Sequence, residues 1–313
     1  MTVAYVFDGE TLAPLPLQPR RTPRYAAWRP DGASAILCGN GGSALIFDGE
    51  RLHSLETGTR QNLRGAAWAP DGKTALLVGN RGAVLRLQGE EIEELPPVTG
   101  ENLRRVAWHP DGAYALIAGN AGTVLRYEAA SGAMWPLPGD RAHTLRAIAF
   151  RPDGAFALVG AYASRWAGYP RPHGLYRCDG RYLQAILASE DEDDLLAVDW
   201  TRDGLALVAG YRPASAGARA ANKLLLYDGS TWRGREWQSA GAVLGGAWRP
   251  AGDYALLCGE GGLLAKVDRE GGVEELTSGT NDNLIGPFWR PGPNATDTYA
   301  LVLKGPGEKV YTV

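Results

Sequence analysis

Residues 65–80 read GAAWAPDGKTALLVGN, in which a tryptophan, a proline and an Asp-Gly pair precede an apolar run that ends in Gly-Asn. Similar stretches recur along the chain, the nearest being YAAWRPDGASAILCGN and RVAWHPDGAYALIAGN. The six other copies begin at Tyr25, Arg105, Ala147, Ala197, Gly245 and Gly286, and the last of them is degenerate. The chain is therefore a tandem repeat of seven units.

One aromatic residue marks each unit, and these marker aromatics lie 40, 40, 42, 50, 48 and 41 residues apart. A period near forty, with short strand patterns and no helical segment, is typical of a β-propeller. We therefore predict an all-β, seven-bladed β-propeller that forms a single domain over residues 1–313. The marker aromatics are Trp28, Trp68, Trp108, Phe150, Trp200, Trp248 and Trp289.

The second unit shows how one blade is built. Its turns carry Asp-Gly and Gln-Gly pairs, and glycine accepts the positive φ that such turns require. We expect four antiparallel strands, at 63–69, 74–79, 83–87 and 91–95. The marker aromatic then falls late in the innermost strand, where a large ring can fill the space between neighbouring blades.

The two ends of the chain also carry strand patterns. The N-terminal VAYVFDGETLAPLPL matches the third and fourth strands of a blade, whereas the seventh unit supplies only the first two. We expect the N-terminal segment to complete the last blade, because joining the termini in one sheet removes exposed edges. The C-terminal GEKVYTV would then be an additional strand at the outer edge of that blade.

Composition excludes several classes of protein. A formal net charge of −3 argues against a globally basic nucleic-acid-binding protein. No apolar run is long enough to cross a membrane, and MTVAYVFDGETLAPL does not resemble a signal peptide, so a cytoplasmic monomer is expected. Cys38 and Cys258 share a repeat position that elsewhere holds valine or alanine, which predicts a small buried site. Neither a CxxC nor a Cys-His spacing is present, and we predict no metal and no cofactor.

These motifs resemble those of known protein families. The W-x-P-D-G stretch followed by an apolar strand resembles the TolB-type and WD-repeat (WD40-like) propellers, which would make the chain a bacterial-type repeat protein. The stretch G-N-x-G-x-V-L-R-x-x-G resembles the blades of the photosystem II assembly-factor group. The resemblance spans Arg24 to Val313 and implies the fold and a scaffold role in protein–protein interaction. The Trp-Asp ending and Gly-His start of WD repeats and the Asp box of sialidases are missing.

Two adjacent blades carry insertions between their second and third strands, at 161–174 and 211–222. Long loops on a rigid scaffold commonly bind ligands, and tryptophan, tyrosine and arginine are enriched at binding hot spots. The alternative is that both loops are tolerated without function. The candidate binding residues in these loops are Arg165, Trp166, Tyr169, Arg171, His173, Tyr211 and Arg212.

The units also differ in the residue that lies four positions before each marker aromatic. The first four units have arginine there and the last three have leucine or isoleucine, so we predict four arginines around the mouth of the central channel, Arg24, Arg64, Arg104 and Arg146. Alternatively, these arginines pair with carboxylates such as Glu56, Glu101 or Asp140. The acidic stretch SEDEDD at 189–194 lacks the alternating spacing of a calcium loop and is expected to be solvated.

Few residues suggest catalysis. The chain has four histidines, of which His109 is expected at the surface, and none has a recognisable nucleophile or metal partner in the sequence. We predict a non-catalytic scaffold that binds an acidic protein or peptide on the face carrying the insertions, with binding residues that include Arg64, Arg104 and Arg146. The alternative is an enzyme, or a small-molecule or carbohydrate-binding protein, that uses an arginine-lined pocket at the channel mouth.

Overall fold

The computed structural model describes residues 2–140, 144–162, 174–187, 193–213, 221–292 and 298–306. Within these ranges the chain forms seven four-stranded antiparallel sheets, which are the seven predicted blades. The first strands of neighbouring blades lie side by side around a central channel. The predicted seven-bladed β-propeller is therefore confirmed.

The blades follow one another along the chain, and the seventh is shared between its two ends. The N-terminal segment contributes β1 (Ala4–Phe7) and β2 (Leu12–Leu15). Blade one consists of β3 (Pro23–Trp28), β4 (Ala35–Gly39), β5 (Ala44–Phe47) and β6 (Leu52–Leu55). Blade two consists of β7 (Leu63–Trp68), β8 (Thr74–Gly79), β9 (Val84–Gln88) and β10 (Glu91–Leu95). Blade three consists of β11 (Leu103–Trp108), β12 (Tyr114–Gly119), β13 (Val124–Glu128) and β14 (Met134–Pro136).

The remaining blades keep the same order of strands. Blade four consists of β15 (Leu145–Phe150), β16 (Ala157–Ala161), β17 (Leu175–Cys178) and β18 (Leu183–Leu187). Blade five consists of β19 (Asp194–Trp200), β20 (Ala206–Arg212), β21 (Ala221–Tyr227) and β22 (Trp232–Trp237). Blade six consists of β23 (Val243–Trp248), β24 (Tyr254–Gly259), β25 (Leu264–Asp268) and β26 (Val273–Glu275). Blade seven begins with β27 (Leu284–Trp289) and β28 (Ala300–Lys304).

The seventh blade closes the ring as predicted. Strand β1 pairs antiparallel with β28, with Ala4 opposite Leu303 and Phe7 opposite Ala300, and β2 forms the outer edge. The Tyr5 hydroxyl donates to Asp282 Oδ2 at 2.6 Å. The additional strand expected within GEKVYTV, at 307–313, lies outside the described residues.

The hydrophobic core lies between the blades. The described residues form seven apolar clusters, and each cluster combines side chains of two neighbouring blades. The second strands are the most buried, because their side chains face a neighbouring blade on both sides; the apolar residues of β8 from Ala75 to Val78 are all 0% exposed. Six of the seven marker aromatics are less than 10% exposed, and Trp68 is half-buried.

The marker tryptophans also connect blades through hydrogen bonds. The indole Nε1 of Trp108 donates to the carbonyl of Ala67 at 3.1 Å, and that of Trp200 donates to the carbonyl of Ala149 at 3.2 Å. Trp28 makes the equivalent bond to Phe288 at 3.1 Å, and it joins blade one to blade seven. These three rings therefore contribute both apolar burial and one directional bond to the blade before each of them.

The three thiols are buried and free of disulfides. Cys38 lies in β4 and Cys258 in β24, at the small buried position that the repeat pattern predicts. Burial raises the pKa of the Cys38 thiol to about 12 and that of Cys178 to about 11. These cysteines are therefore packing residues at neutral pH.

Candidate functional site

One face of the propeller is formed by the turns between second and third strands and by the connections between blades. We call it the mouth face, because it surrounds one opening of the central channel. In four blades the turn is a short 3-10 segment, at Asn40–Gly42, Asn80–Gly82, Asn120–Gly122 and Glu260–Gly262. Close packing fixes these turns, since a Cβ on Gly82, which has a φ of 73°, would lie 1.9 Å from the carbonyl oxygen of Thr99.

A β-bulge at the start of the inner strand positions the residue at the channel mouth in blades one to six. In blade two, Leu63 pairs with Gly79 and Gly65 pairs with Val78, so Arg64 is the extra residue of the bulge. Arg104 and Arg146 occupy the same place in β11 and β15. A bulge redirects a side chain out of the alternation of its strand. The sequence analysis located this position but not the bulge.

The residues that lie four positions before the marker aromatics of the seven blades line a single cavity of about 280 Å³ at the centre of the mouth face. Blades one to four contribute the arginine arc, defined as Arg24, Arg64, Arg104 and Arg146. Blades five to seven contribute the apolar arc, defined as Leu196, Leu244 and Ile285. The structure thus brings Arg64, Arg104 and Arg146 together at the mouth, where the sequence analysis placed them.

Asparagine amides contact two of the arginines, and none of the described carboxylates pairs with Arg64. Arg64 Nε donates to Asn80 Oδ1 at 3.3 Å, and its Nη1 donates to Asn40 Oδ1 of the preceding blade at 3.4 Å. Arg104 Nε donates to Asn120 Oδ1 at 2.9 Å. These partners are the asparagines of the short turns. An amide oxygen orients a guanidinium without neutralising its charge.

Arg24 and Arg64 carry positive charge that no carboxylate within the described ranges neutralises. The buried Nε of Arg24 has no hydrogen-bond partner there. Burial lowers the pKa of both guanidinium groups, and in Arg64 the neighbouring charges of Arg24 and Arg146 lower the pKa further. Both effects disfavour the charged forms, and a bound anion would relieve them.

Blade four completes the arginine arc in a different way. Its turn has Tyr162 where the first three blades have asparagine, and the Arg146 guanidinium carbon lies 4.8 Å from the centre of the Tyr162 ring. A guanidinium over an aromatic face is a favourable cation–π contact. Tyr162 therefore supplies a contact to Arg146 in place of the turn asparagine of the first three blades.

Two predicted binding residues of the second insertion lie in strand β20 and not in a loop. Tyr211 is 4% exposed, and burial raises the pKa of its hydroxyl, as do the charges of Asp194 and Glu260. Arg212 Nη2 lies 2.5 Å from Glu236 Oε2 in an ion pair. The expected insertion of 211–222 is therefore shorter, because β20 and β21 extend through Arg212 and from Ala221. Tyr211 presents little surface to a partner.

The predicted binding residues of the first insertion fall outside the described residues. They are Arg165, Trp166, Tyr169, Arg171 and His173. Most of the acidic stretch 189–194 also falls outside. Of its two described residues, Asp193 forms an ion pair with Lys223, and Asp194 is 1% exposed in β19. At these two positions the expectation of a solvated acidic loop was wrong, because the inner strand of blade five begins at Asp194.

His109, which was expected at the surface, is packed between blades three and four. Its ring stacks on Tyr114 with the centroids 4.7 Å apart, and its side chain is 16% exposed. The Nδ1 atom lies 2.6 Å from Asp111 Oδ1 and Nε2 lies 3.0 Å from the carbonyl oxygen of Gly154. These contacts give His109 a structural role.

Below the arginine arc the channel continues as a second cavity of about 220 Å³. Arg105 lines both cavities. Its Nη1 donates to the carbonyls of Arg64 and Arg104, at 2.8 Å each, and its guanidinium carbon lies 4.6 Å from the centre of the Tyr25 ring. Arg105 therefore forms a floor beneath the mouth.

Asp199 also faces the lower cavity, at a position where five other blades have alanine. Its Oδ2 accepts the backbone N–H of Trp248 at 2.8 Å. Burial raises the pKa of this carboxyl group from 3.8 to about 6, against the lowering effect of backbone hydrogen bonds from Trp200 and Trp248. Arg105 and Asp199 were not among the predicted site residues, although each is the only charged residue at its position in the seven repeats.

Replacing Asp199 with asparagine is expected to change how stability depends on pH. A raised pKa means that protonated Asp199 favours the folded state, and this contribution disappears as the pH rises from about 4 to about 6. Because a tenfold change in proton affinity corresponds to about 1.4 kcal/mol, Asp199→Asn should gain about 2 kcal/mol relative to wild type between pH 4 and pH 7. Urea unfolding at several pH values measures this difference.

The exposed Asp203→Asn is the matched control for that experiment. Hydrogen bonds from the Thr201 hydroxyl and from Arg269 lower the pKa of Asp203, so its contribution to stability is lost only below about pH 4, and Asp203→Asn should differ from wild type by a nearly constant amount from pH 4 to pH 7. A constant difference between Asp199→Asn and wild type from pH 4 to pH 7 would contradict the assignment.

Neither a cluster of metal-binding side chains nor a membrane-spanning helix is found among the described residues. They contain no group of three or more His, Cys, Asp or Glu side chains arranged to hold a metal ion. None of their helical segments has the length and apolar character needed to cross a bilayer.

Comparison with known proteins supports the fold. No family model and no curated protein matches the sequence. Among solved structures, the chain is similar to the Cps50 (Swd1) β-propeller domain of Myceliophteria thermophila, with 13% identity and a TM-score of 0.63 over 91% of this chain and 97% of that one. It is also similar to the hydrazine synthase of Kuenenia stuttgartiensis, with 16% identity and a TM-score of 0.63 over 82% and 79% of the two chains.

Identities this low show the fold alone. The resemblance to WD-repeat propellers is thus supported at the level of a seven-bladed β-propeller. The finer resemblance to the photosystem II assembly-factor group stays a prediction.

Proposed function

We propose that this propeller is a scaffold that binds an acidic segment of a partner protein on the mouth face. The observation that carries the proposal is the arginine arc, in which Arg24 and Arg64 face the mouth cavity without a carboxylate partner in the described chain. Carboxylates form strong, charge-assisted hydrogen bonds with guanidinium groups. An acidic segment would supply the missing negative charge and relieve the repulsion within the arc.

The position of the arc favours a protein ligand. Strand β16 ends and β17 begins on the mouth face, and we propose that Trp166 and Tyr169, from the insertion between these strands, extend the contact beyond the arc. Arg212 has a smaller part in this proposal, since Glu236 already pairs with it. A surface of this kind suits a short extended segment.

The test uses fluorescein-labelled eight-residue peptides that contain three glutamates, beside versions in which lysine replaces each glutamate. The acidic peptides should bind, and affinity should fall as NaCl rises from 50 to 300 mM. The double variant Arg24→Gln/Arg64→Gln should weaken binding at least tenfold. Fluorescence anisotropy gives the affinities, and circular dichroism shows whether the fold is kept.

The matched control is Arg51→Gln/Arg202→Gln, which removes the same charge from exposed positions on the opposite face. It should bind like wild type. If both double variants weaken binding equally, the effect is one of net charge and the assignment to the arginine arc is wrong. The parallel variant Trp166→Ala/Tyr169→Ala tests whether the insertion takes part.

A small-molecule site is the second candidate, because the mouth cavity of about 280 Å³ is concave and partly apolar. The described residues that line it include no aspartate, glutamate or histidine, so a catalytic acid or base would have to come from outside them. Binding of small carboxylates in preference to every peptide would favour this candidate.

A further inference from the structure

The mouth cavity has two halves of different chemistry. The arginine arc occupies the side formed by blades one to four, and the apolar arc occupies the side formed by blades five to seven. In the apolar arc, Leu196 is 7% exposed, and Leu244 and Ile285 are half-buried. A ligand that is charged all round would place hydrated groups against this apolar wall. The cavity therefore fits an anionic group with an apolar group directly beside it.

Arg105 separates the mouth cavity from the lower cavity at its base. Arg105 is held there by the carbonyls of Arg64 and Arg104 and by the Tyr25 ring. A ligand that enters from the mouth face by an end or by a side chain therefore meets Arg105 before it reaches the lower cavity. The volume of about 280 Å³ lies at the lower limit of ligand pockets, which range from about 300 to 1,000 Å³. It suits one large amino-acid residue better than a long lipid.

The available donors favour a carboxylate. Arg64 uses Nε and Nη1 on Asn80 and Asn40, which leaves Nη2 for a ligand, and the buried Nε of Arg24 has no hydrogen-bond partner within the described ranges. A carboxylate can be held on one side by two such donors. A phosphate dianion carries three strongly accepting oxygens, and at least one of them would turn toward Leu196, Leu244 or Ile285.

We propose that the mouth binds the C-terminal residue of a polypeptide, with its α-carboxylate on the arginine arc and a branched apolar side chain on the apolar arc. In a terminal leucine, isoleucine or valine, the carboxylate and the side chain branch from one Cα, so they can reach the two halves of the mouth cavity together. An internal glutamate carries no apolar group beside its carboxylate. This inference rests on the proposed function, for which it names the part of the partner that enters the cavity.

The experiment compares four labelled peptides that share the spacer Gly-Ser-Gly-Ser. One ends in leucine with a free carboxylate, one in leucine amide and one in glycine with a free carboxylate, and the fourth is an amide with one internal glutamate. We expect the leucine acid to bind at least tenfold more tightly than the leucine amide and at least fivefold more tightly than the glycine acid. Fluorescence anisotropy with the full chain measures each affinity.

Two variants test the two halves separately. Arg24→Gln/Arg64→Gln should remove the preference for the free acid over the amide. Leu244→Ser should remove the preference for leucine over glycine and keep that for the acid. Val98→Ser, at an apolar residue that is 40% exposed, is the control and should change neither preference. The thermal transition of each variant shows that the fold is kept.

The outcomes separate this inference from the proposed function. If the leucine amide binds as tightly as the leucine acid, or the internal glutamate peptide binds best through Arg24 and Arg64, the inference is overturned and the proposed function stands. If no peptide binds through these arginines, both fail. If free 4-methylpentanoate or inorganic phosphate binds as tightly as the leucine acid, the ligand is not a polypeptide end and the inference is again overturned.

Discussion

Replacing Trp28 with alanine is expected to lower the free energy of unfolding by about 3–5 kcal/mol, the usual cost of removing a large aromatic side chain from a core. Trp28 is 8% exposed and lies where blade one meets blade seven. Its ring packs edge-on against Phe47 and Tyr299, with centroid distances of 6.0 and 5.5 Å. The variant also loses the bond from Nε1 to Phe288. Urea unfolding followed by circular dichroism measures the loss.

Two further variants separate the contributions of the ring. Trp28→Phe keeps most of the apolar contact and loses the hydrogen bond, so it should cost less than Trp28→Ala by at least about 1 kcal/mol. Trp135→Ala removes a tryptophan that is 40% exposed and should cost no more than about 0.5 kcal/mol. A loss below about 1 kcal/mol for Trp28→Ala would show that the interface between blades one and seven contributes little.

Trp68 is the marker aromatic that departs most from the expected burial. It is half-buried, and its Nε1 has no hydrogen-bond partner within the described ranges. The repeat pattern predicts a buried ring equally for all seven positions, because it is the same in each unit. Which rings are well covered depends on the neighbouring blade, and that is not encoded within one unit.

The sequence predicted the architecture well, because a repeated unit reports the same strands seven times. The strands of blade two begin and end within one residue of their predicted bounds, and β1 pairs with β28 as expected from its match to a third strand. Short turns fix strand bounds locally, through Asp-Gly pairs and glycine conformation. These signals are local and do not depend on contacts between residues that are far apart in the sequence.

The site was harder to predict, because its geometry depends on contacts between blades. The position of the arginine arc followed from the alignment of the repeats, but the bond from Arg64 to Asn40 joins residues of two blades. The bulge that directs Arg64 into the mouth arises from strand pairing. Asparagine is common in turns, so the local sequence does not show that Asn40 also contacts an arginine.

Removing residues 2–17 is expected to abolish the cooperative unfolding transition. Strand β28 would lose its hydrogen-bonded partner, and the fully buried side chains of Ala4 and Phe7 would leave the interfaces of blade seven with its neighbours. The loss of one buried phenylalanine costs about 3–5 kcal/mol. Because whole proteins are stable by only about 5–15 kcal/mol, removal of the entire segment should exceed the stability that remains. Thermal and urea unfolding measure this directly.

The missing segment supplied as a separate peptide provides the decisive comparison. A peptide of residues 2–17 should bind the truncated chain and restore a cooperative transition, whereas the same peptide with Phe7→Asp should not, since it would bury a charge beside Trp289. Deletion of residues 307–313 is the matched truncation at the other end. It should cost much less, because the sheet β2-β1-β28-β27 already has four strands. If the two truncations are equally destabilising, ring closure does not depend on β1 alone.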